Sequence, residues 1–330
     1  MTVSALLCIL YVILLSSTLQ VTHNNCVHSS TPNNNSQDFS HNIYNNKTNS
    51  EQPVNPTNID YMHTPLNVCD LHTGPNLLLV LVKSDVLNIP HRLSIRKTWG
   101  NISNPHIKVM YLLGYNSIVQ DMIVLESNLY KDVLQGDFVD NYDHNINKTA
   151  MAYQYAVERC PNTKFLFFVD DDFVINILKI KEYLKTLTYP YISKLFSGFI
   201  IKKGKPYRNK SSKWYISRKE YPYDSFPTYP AGGAILMSMT IAQLLKAEFP
   251  HVRYITIDDV YLGIVAMKLK LQLQNDKRFV LTYTPPLNLK NVFASHGYKG
   301  ARNLLVKWDV FLASMSFNSS TDINRELNNS

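Results

Sequence analysis

Cysteine is scarce in this chain of 330 residues, with four in all. Cys8 lies in an apolar run, which leaves Cys26, Cys69 and Cys160. Their spacing gives no zinc signature and argues against a soft-metal centre. One pair, such as Cys69 with Cys160, can form in an oxidising compartment. No internal repeat is present, which excludes repeat architectures. The formal net charge is +8, yet Lys and Arg form no stripe, so the footprint of a nucleic-acid partner is missing. A mild basic excess also suits an anionic small substrate. Charge is missing altogether from Val3 to Leu19, and Ala5 to Leu15 is almost wholly apolar. No Lys or Arg precedes that run, and it is short for a full span, so it reads as a secretory signal or a short membrane anchor. Asn-x-Ser/Thr sequons at Asn34, Asn46, Asn101, Asn147, Asn209 and Asn318 agree with lumenal exposure.

Three parts follow: a signal-anchor over 1–19, a stem over 20–70 and a folded domain over 71–330. The stem is rich in Asn, Thr, Ser, His and Pro, and to about Pro65 it has neither helical nor strand period, so it is expected to be disordered. Strand patterns then alternate with helical ones. Leu77–Val82 reads as a buried strand, and Asn88 as the cap of a helix with Pro90 in its first turn. Ile107–Leu113 is a strand stopped by Gly114, and Thr149–Cys160 a helix stopped by Pro161. Ile177, Ile180, Leu184 and Leu187 mark a helix lying on a sheet. Phe196–Ile201 is a strand, and Thr240–Phe249 and Asp258–Leu271 are helices. Leu304 to Leu312 is a last amphipathic helix. This alternation predicts an α/β fold with a mainly parallel sheet. Lys202 to Pro230 is long, aromatic and basic, without period, the kind of loop that is often functional.

Phe165–Val169 runs straight into Asp170, Asp171 and Asp172. Ligands in open α/β sheets bind at such carboxyl ends. Like charges together need neutralising, and hard oxygen donors suit Mg²⁺ or Mn²⁺. An acidic turn in water is the plainer alternative. Asp258 and Asp259 fall where a helix begins, which stabilises ionised carboxylates and makes a general base at neutral pH possible without a large rise in pKa, or simply caps the helix. His296 is a candidate metal ligand or an ordinary surface imidazole. Arg92 and Arg96 lie four apart on one helix face, fit for phosphate or for solvent. Gly232 and Gly233 allow a ligand's close approach or, by default, a turn.

In order, these segments resemble the β-1,3-galactosyltransferase and β-1,3-N-acetylglucosaminyltransferase family, glycosyltransferase family 31. The matching blocks are Arg92–Gly100, Met110–Gly114, Asp137–Tyr142 with Lys148-Thr149, Val169–Asn176, Lys213–Ser217, Tyr229–Ser238 and Asp258–Gly263. The resemblance covers about residues 77 to 312. It implies a GT-A type nucleotide-sugar-binding fold with a mixed, mainly parallel sheet flanked by helices. It also implies a UDP-sugar donor, a glycan acceptor, Mn²⁺ or Mg²⁺, and a single-pass type II Golgi membrane protein with a lumenal catalytic domain. Carried over by motif, Asp172 and His296 hold the metal and Asp259 is the catalytic base in its acidic-Asp-Val motif. Asp170 lies on the ribose side, with Asp171 nearby, and Asp258 joins the substrate-binding set. Arg92 and Arg96 face the nucleotide, Trp214 and Tyr215 line a sugar pocket, and Gly232 and Gly233 sit in the family's glycine block. The implied reaction inverts an α-linked donor to a β-1,3 product by single displacement.

The sequence departs from the family pattern at Pro230, Ala231 and Ala234, where the family has Cys, Ser and Gly. Losing that Cys removes the partner the family pattern gives Cys160. The Ala234 methyl stands where a sugar would approach. Two other readings compete. One is a haloacid-dehalogenase-type phosphatase with Asp170 as nucleophile, which leaves some ninety residues of preceding α/β pattern unexplained. The other is a lumenal sugar-binding or chaperone-like relative without turnover.

Overall fold

The structure is a computed structural model that describes residues 52–66, 68–69 and 77–328. The apolar start and the stem as far as residue 51 lie outside them. The described chain forms β1 (Tyr61–His63), β2 (Leu78–Lys83), α1 (Ile89–Lys97), β3 (Ile107–Tyr115), α2 (Gln120–Tyr130), β4 (Val133–Val139), α3 (Asn145–Arg159), β5 (Phe165–Asp170) and β6 (Phe173–Ile175). It continues as α4 (Ile177–Thr186), α5 (Tyr191–Lys194), β7 (Phe196–Ile201), β8 (Tyr229–Ser238), α6 (Met239–Glu248), α7 (Asp258–Lys268), β9 (Gln274–Asn275), β10 (Phe279–Val280), β11 (Ala294–His296) and α8 (Ala301–Asn328).

Eight strands make the main sheet in the order β1-β4-β3-β2-β5-β8-β7-β9, and β10-β11-β6 make a small second one. Four neighbouring pairs of the main sheet run parallel and three antiparallel. This is the mixed, mainly parallel sheet expected of a GT-A arrangement. Burial on both faces explains the unbroken apolar runs. Leu79, Leu81, Leu166 and Phe168 pack with Met151 and Tyr153 of α3 and with Leu245 of α6. Their neighbours in sequence, Leu78, Val80, Phe165 and Phe167, share the opposite core with Ile95 of α1, Ile180 and Leu184 of α4 and Leu304 of α8. The period of two along each strand thus builds two cores.

Several boundaries differ from expectation. Asn88 does not cap α1 with its side chain; its amide donates to Asp171 at 2.8 Å instead. Gly114 does not stop β3, which runs on to Tyr115, because Asp140 accepts the Gly114 N–H at 2.8 Å. The disordered stem was expected to reach residue 70, yet residues 52–66 and 68–69 are part of the described structure. Asn55 is buried, its amide donating to the carbonyl of Phe249 and its oxygen accepting from Tyr254 N–H at 3.0 Å. Tyr61 and His63 pair with β4, and Cys69 is disulfide-bonded to Cys160. Polar composition hid this segment, since its order comes from distant partners rather than from any period of its own. Cys160 therefore has a partner although the family's Cys is replaced by Pro230.

The expected placement as a single-pass Golgi membrane protein is corrected. No helix among the described residues is long and apolar enough to cross a membrane. The stretch 1–19, which motivated the expectation, lies outside them.

Candidate active site

Parallel strands in register bring the first charges together. Lys83 ends β2 and Asp170 ends β5, and the two are direct partners in the ladder. Their side chains form an ion pair at 3.2 Å. The Lys83 ammonium also meets Asp258, at the start of α7, at 3.0 Å. Thr149 of α3 donates to the same Asp258 oxygen at 2.6 Å. Burial works against the Lys83 charge, but Asp170 and then Asp258 outweigh it and hold the ammonium well above its usual range. Asp258 gains in return: burial pushes its carboxyl up, while Lys83 and Thr149 bring it below the usual carboxylate range.

Asp259 is held differently. Its two oxygens accept from backbone N–H groups, Oδ2 from Gly232 at 2.9 Å and Oδ1 from Val260 at 2.7 Å. Burial and then the neighbouring Asp258 charge push its carboxyl up to about 7, with Lys83 and the two N–H bonds opposing. The helix N-terminus was expected to keep this base ionised without a large rise. Desolvation and a like charge one residue away overrule it. The result is a carboxylate matched to proton transfer near neutral pH.

The acidic triplet divides three ways. Asp170 is pushed up to about 6 by burial, against the pull of Lys83, although 40 % of its side chain is open to water. Asp171 accepts from Ser84 at 2.7 Å and from Asn88 at 2.8 Å, which ties β5 to the segment entering α1. Asp172 turns to His296, whose Nε2 lies 3.0 Å from Oδ2. That pairing follows from the small sheet: β6 and β11 are antiparallel with Phe173 opposite His296, so residues 124 apart in sequence become neighbours. Both side chains are partly exposed, 27 % for Asp172 and 35 % for His296. Among the described residues no group of three or more His, Cys, Asp or Glu side chains is placed to hold a metal ion. A carboxylate and an imidazole side by side are nevertheless a fitting donor pair for Mn²⁺ or Mg²⁺. Such sites take few protein ligands and leave the rest of the shell to water and substrate phosphates.

The glycine pair lies within β8 and not in a turn, and both residues are partly exposed. A Cβ at Gly232 would press on Asp259 at 3.1 Å, and one at Gly233 would strike the Phe173 ring at 2.4 Å. That ring packs on His296, with centroids 5.1 Å apart. The glycines therefore let the protein's own site residues close in. Ala234 is 2 % exposed and opposite Val169 in the sheet, so its methyl fills core and does not stand where a sugar would approach.

The expectation that Arg92 and Arg96 face a nucleotide is corrected. Arg92 is fully buried and gives Nε and Nη2 to Glu126 at 2.9 and 2.7 Å and Nη1 to the Asp85 carbonyl at 2.6 Å. Arg96 pairs with Asp132 and Glu126, both at 2.7 Å. It lines a cleft with Ile107 and Lys108 at the amino end of β3, away from the acids. Helical spacing alone could not distinguish these buried pairs from phosphate ligands.

Trp214 and Tyr215 belong to the long loop before β8. Trp214 is 43 % exposed and leans on Tyr207, with centroids 5.4 Å apart, while Tyr215 forms an isolated bridge with Tyr207. Tyr229 connects this loop to the acids. Burial, then Asp259, then Tyr207 push its hydroxyl up to about 12. Sequence reasoning missed Lys83, Thr149 and Tyr229 as site residues. Lys83 carried a signal, being a lone cation closing an apolar strand in the way Asp170 closes another.

A family model described as galactosyltransferase matches residues 90–277, a span that contains both acidic clusters. The chain belongs to the galactosyltransferase family. It is 35% identical over 244 residues to β-1,3-galactosyltransferase brn of Drosophila melanogaster, covering 71% of this chain and 74% of that one. It is 31% identical over 254 residues to UDP-GalNAc:β-1,3-N-acetylgalactosaminyltransferase 1 of Homo sapiens, covering 73% and 76%. Among solved structures, a glycosyltransferase involved in glycosylation of the major capsid of PBCV-1 aligns with a TM-score of 0.40 and 10% identity, over 71% of this chain and 99% of that one. The family model and the relatives named for β-1,3 transfer make this chain a glycosyltransferase, and the phosphatase reading falls away.

Proposed function

We propose that this enzyme moves a hexose or N-acetylhexosamine, galactose foremost, from a UDP-sugar to the 3-hydroxyl of an acceptor glycan. The reaction is metal-dependent and inverts the anomeric centre to a β-1,3 linkage. The observation that carries this reading is Asp259, a partly buried carboxylate held by two backbone N–H groups beside a fixed Asp258 charge. Such a group is oriented, accessible to protonation near neutral pH, and of the right kind to serve as a general base. Relatives at 31–35% identity are named for β-1,3 transfer of galactose and of N-acetylgalactosamine, which supports the linkage and leaves the sugar to experiment.

Asp172 and His296 are the residues that would hold Mn²⁺ or Mg²⁺. When bound there, such an ion supplies positive charge for the diphosphate leaving group. Asp259 takes the proton from the acceptor hydroxyl while that oxygen bonds to the anomeric carbon. The bond from that carbon to UDP breaks on the opposite face, and UDP leaves with the bonding pair. Lys83 keeps Asp258 ionised and Asp170 in place, so the charges around the base do not rearrange during transfer. The test is UDP release from UDP-galactose, UDP-N-acetylglucosamine and UDP-N-acetylgalactosamine, with and without EDTA. UDP release from at least one donor, lost in EDTA and restored by Mn²⁺, is the expected result. Turnover indifferent to EDTA overturns the metal, and no release from any donor overturns the reading.

A further inference from the structure

We propose that the loop 202–219 is the docking surface for an acidic acceptor glycan, one that carries sulfate or uronate groups. The inference rests on the transfer reading above and names the class of its acceptor. Eight of the chain's 33 basic residues and none of its 25 acidic ones fall in these eighteen positions, so the rest of the chain is formally neutral. The +8 charge that looks dispersed along the sequence is in effect the charge of this loop.

Five of the loop's eight cations are free to meet a ligand, while Arg218 pairs with Asp224 at 2.8 Å. Lys202, Lys203, Lys205, Lys210 and Lys213 are exposed. Among the described residues none of them has a carboxylate within ion-pairing distance. Arg208 behaves otherwise and turns inward to the carbonyls of Ile216, Tyr221 and Tyr223 at 2.7–2.8 Å, which fixes the loop's shape. Like charges repel when they come within a Debye length of about 8 Å of one another. A bound polyanion relieves that repulsion.

Sugar recognition has its own surface here. Tyr207 and Trp214 are 52 % and 43 % exposed, and their rings lie together. Lys213 Nζ sits 4.7 Å over the indole. An aromatic platform with the Lys213 ammonium beside it suits a pyranose with an anionic substituent: the apolar sugar face lies on the ring and the charge meets lysine.

The loop is fastened beside the base. Glu220, just after it, accepts from the Thr256 N–H at 2.6 Å, two residues before α7 begins with Asp258. A Cβ at Gly204 would touch the Tyr229 hydroxyl at 2.9 Å, and Phe226 N–H donates to the Gly204 carbonyl at 2.7 Å. Its anchors are thus on the Asp259 side. The Asp172–His296 pair, on β6 and β11, lies on other elements, which assigns the loop to the acceptor and not to the donor diphosphate.

The test titrates the full chain with chondroitin sulfate and hyaluronan hexasaccharides and with a neutral lactosamine hexasaccharide, by calorimetry. Acidic sugars are expected to bind about tenfold or more tightly than the neutral one, and to weaken between about 50 and 200 mM salt. Replacing Lys202, Lys205 and Lys210 together by Gln should lower that affinity by about tenfold, with the melting temperature of the wild type. Replacing the same three by Arg should retain the affinity, and Trp214→Ala should weaken all the sugars together. Equal binding of neutral and acidic sugars, unchanged affinity in the Gln variant, or tighter binding to single-stranded RNA or to phosphatidylserine vesicles overturns the inference. Such a failure alongside intact UDP release leaves the transfer reading standing. Acidic-glycan binding without UDP release from any donor overturns the transfer reading and, with it, the acceptor role.

Discussion

Lys83 and Asp170 face each other in register across two parallel strands, and the same Lys83 ammonium reaches Asp258 at 3.0 Å. One cation therefore meets both acidic clusters. Because Lys83 lowers Asp259 and Asp258 raises it, the two neighbours act on the base in opposite directions. Lys83→Met should move the acid limb of the pH–rate profile to higher pH, and Asp258→Asn should move it lower. Initial rates of UDP release from pH 5 to 9 check both. Limbs that move together would show that neither group sets the base.

Asp259→Asn keeps the Oδ atom that Gly232 meets but cannot take a proton. Transfer should fall by about two to four orders of magnitude, while UDP still binds. Single-turnover transfer and UDP titration separate the two. The wild-type rate should decline as pH drops below about 7, where the base acquires its proton. Stability should follow the opposite sense. The folded state holds this proton more tightly than the unfolded chain, whose carboxyl titrates near 3.8. The group's contribution is therefore fully present below that value and is lost as pH rises through about 7.

Arg92 is a fixture of the fold. Arg92→Met would leave the buried Glu126 charge without one of its two guanidinium partners, and breaking such a pair typically destabilises by about 3–5 kcal/mol. Urea unfolding should register that loss, with the donor KM of the folded variant unchanged. A normal unfolding midpoint with a raised KM would restore the nucleotide-facing role.

Gly233→Ala should act at a distance from its own backbone. The added methyl meets the Phe173 ring, which must move, and that ring supports His296. Overpacking of this kind costs about 1–3 kcal/mol. Mn²⁺ affinity should weaken as well, measured by the paramagnetic broadening of His296 ring signals in the protein without donor. Unaltered broadening would separate the packing from the imidazole.

Asn55→Ala should destabilise by about 1–3 kcal/mol, the usual consequence of leaving buried polar groups unmet. Thermal melting under oxidising conditions checks it. No change would mean that the segment before β1 contributes nothing to stability.

Much of this was legible before the fold. Apolar runs gave the buried strands because both faces of the sheet are covered, and the acids at the carboxyl end of β5 pointed to the site. What stayed hidden depends on partners far apart in sequence. Lys83 meets Asp258 only once β2 lies beside the start of α7. Arg92 and Arg96 present the same spacing whether they face phosphate or Glu126. Asn55 sits in a stretch whose polar composition reads as disorder, and only its hydrogen bonds to residues near 250 reveal it as core.

The three residues of β1 lie along the outer border of β4 and donate or accept where that strand would otherwise present bare backbone groups. A shortened version of the protein beginning at Leu77 would uncover this border and break the covalent tie to Cys160. Uncovered strand borders recruit other chains, so such a truncation should precipitate or form strand-swapped dimers even with every catalytic side chain intact.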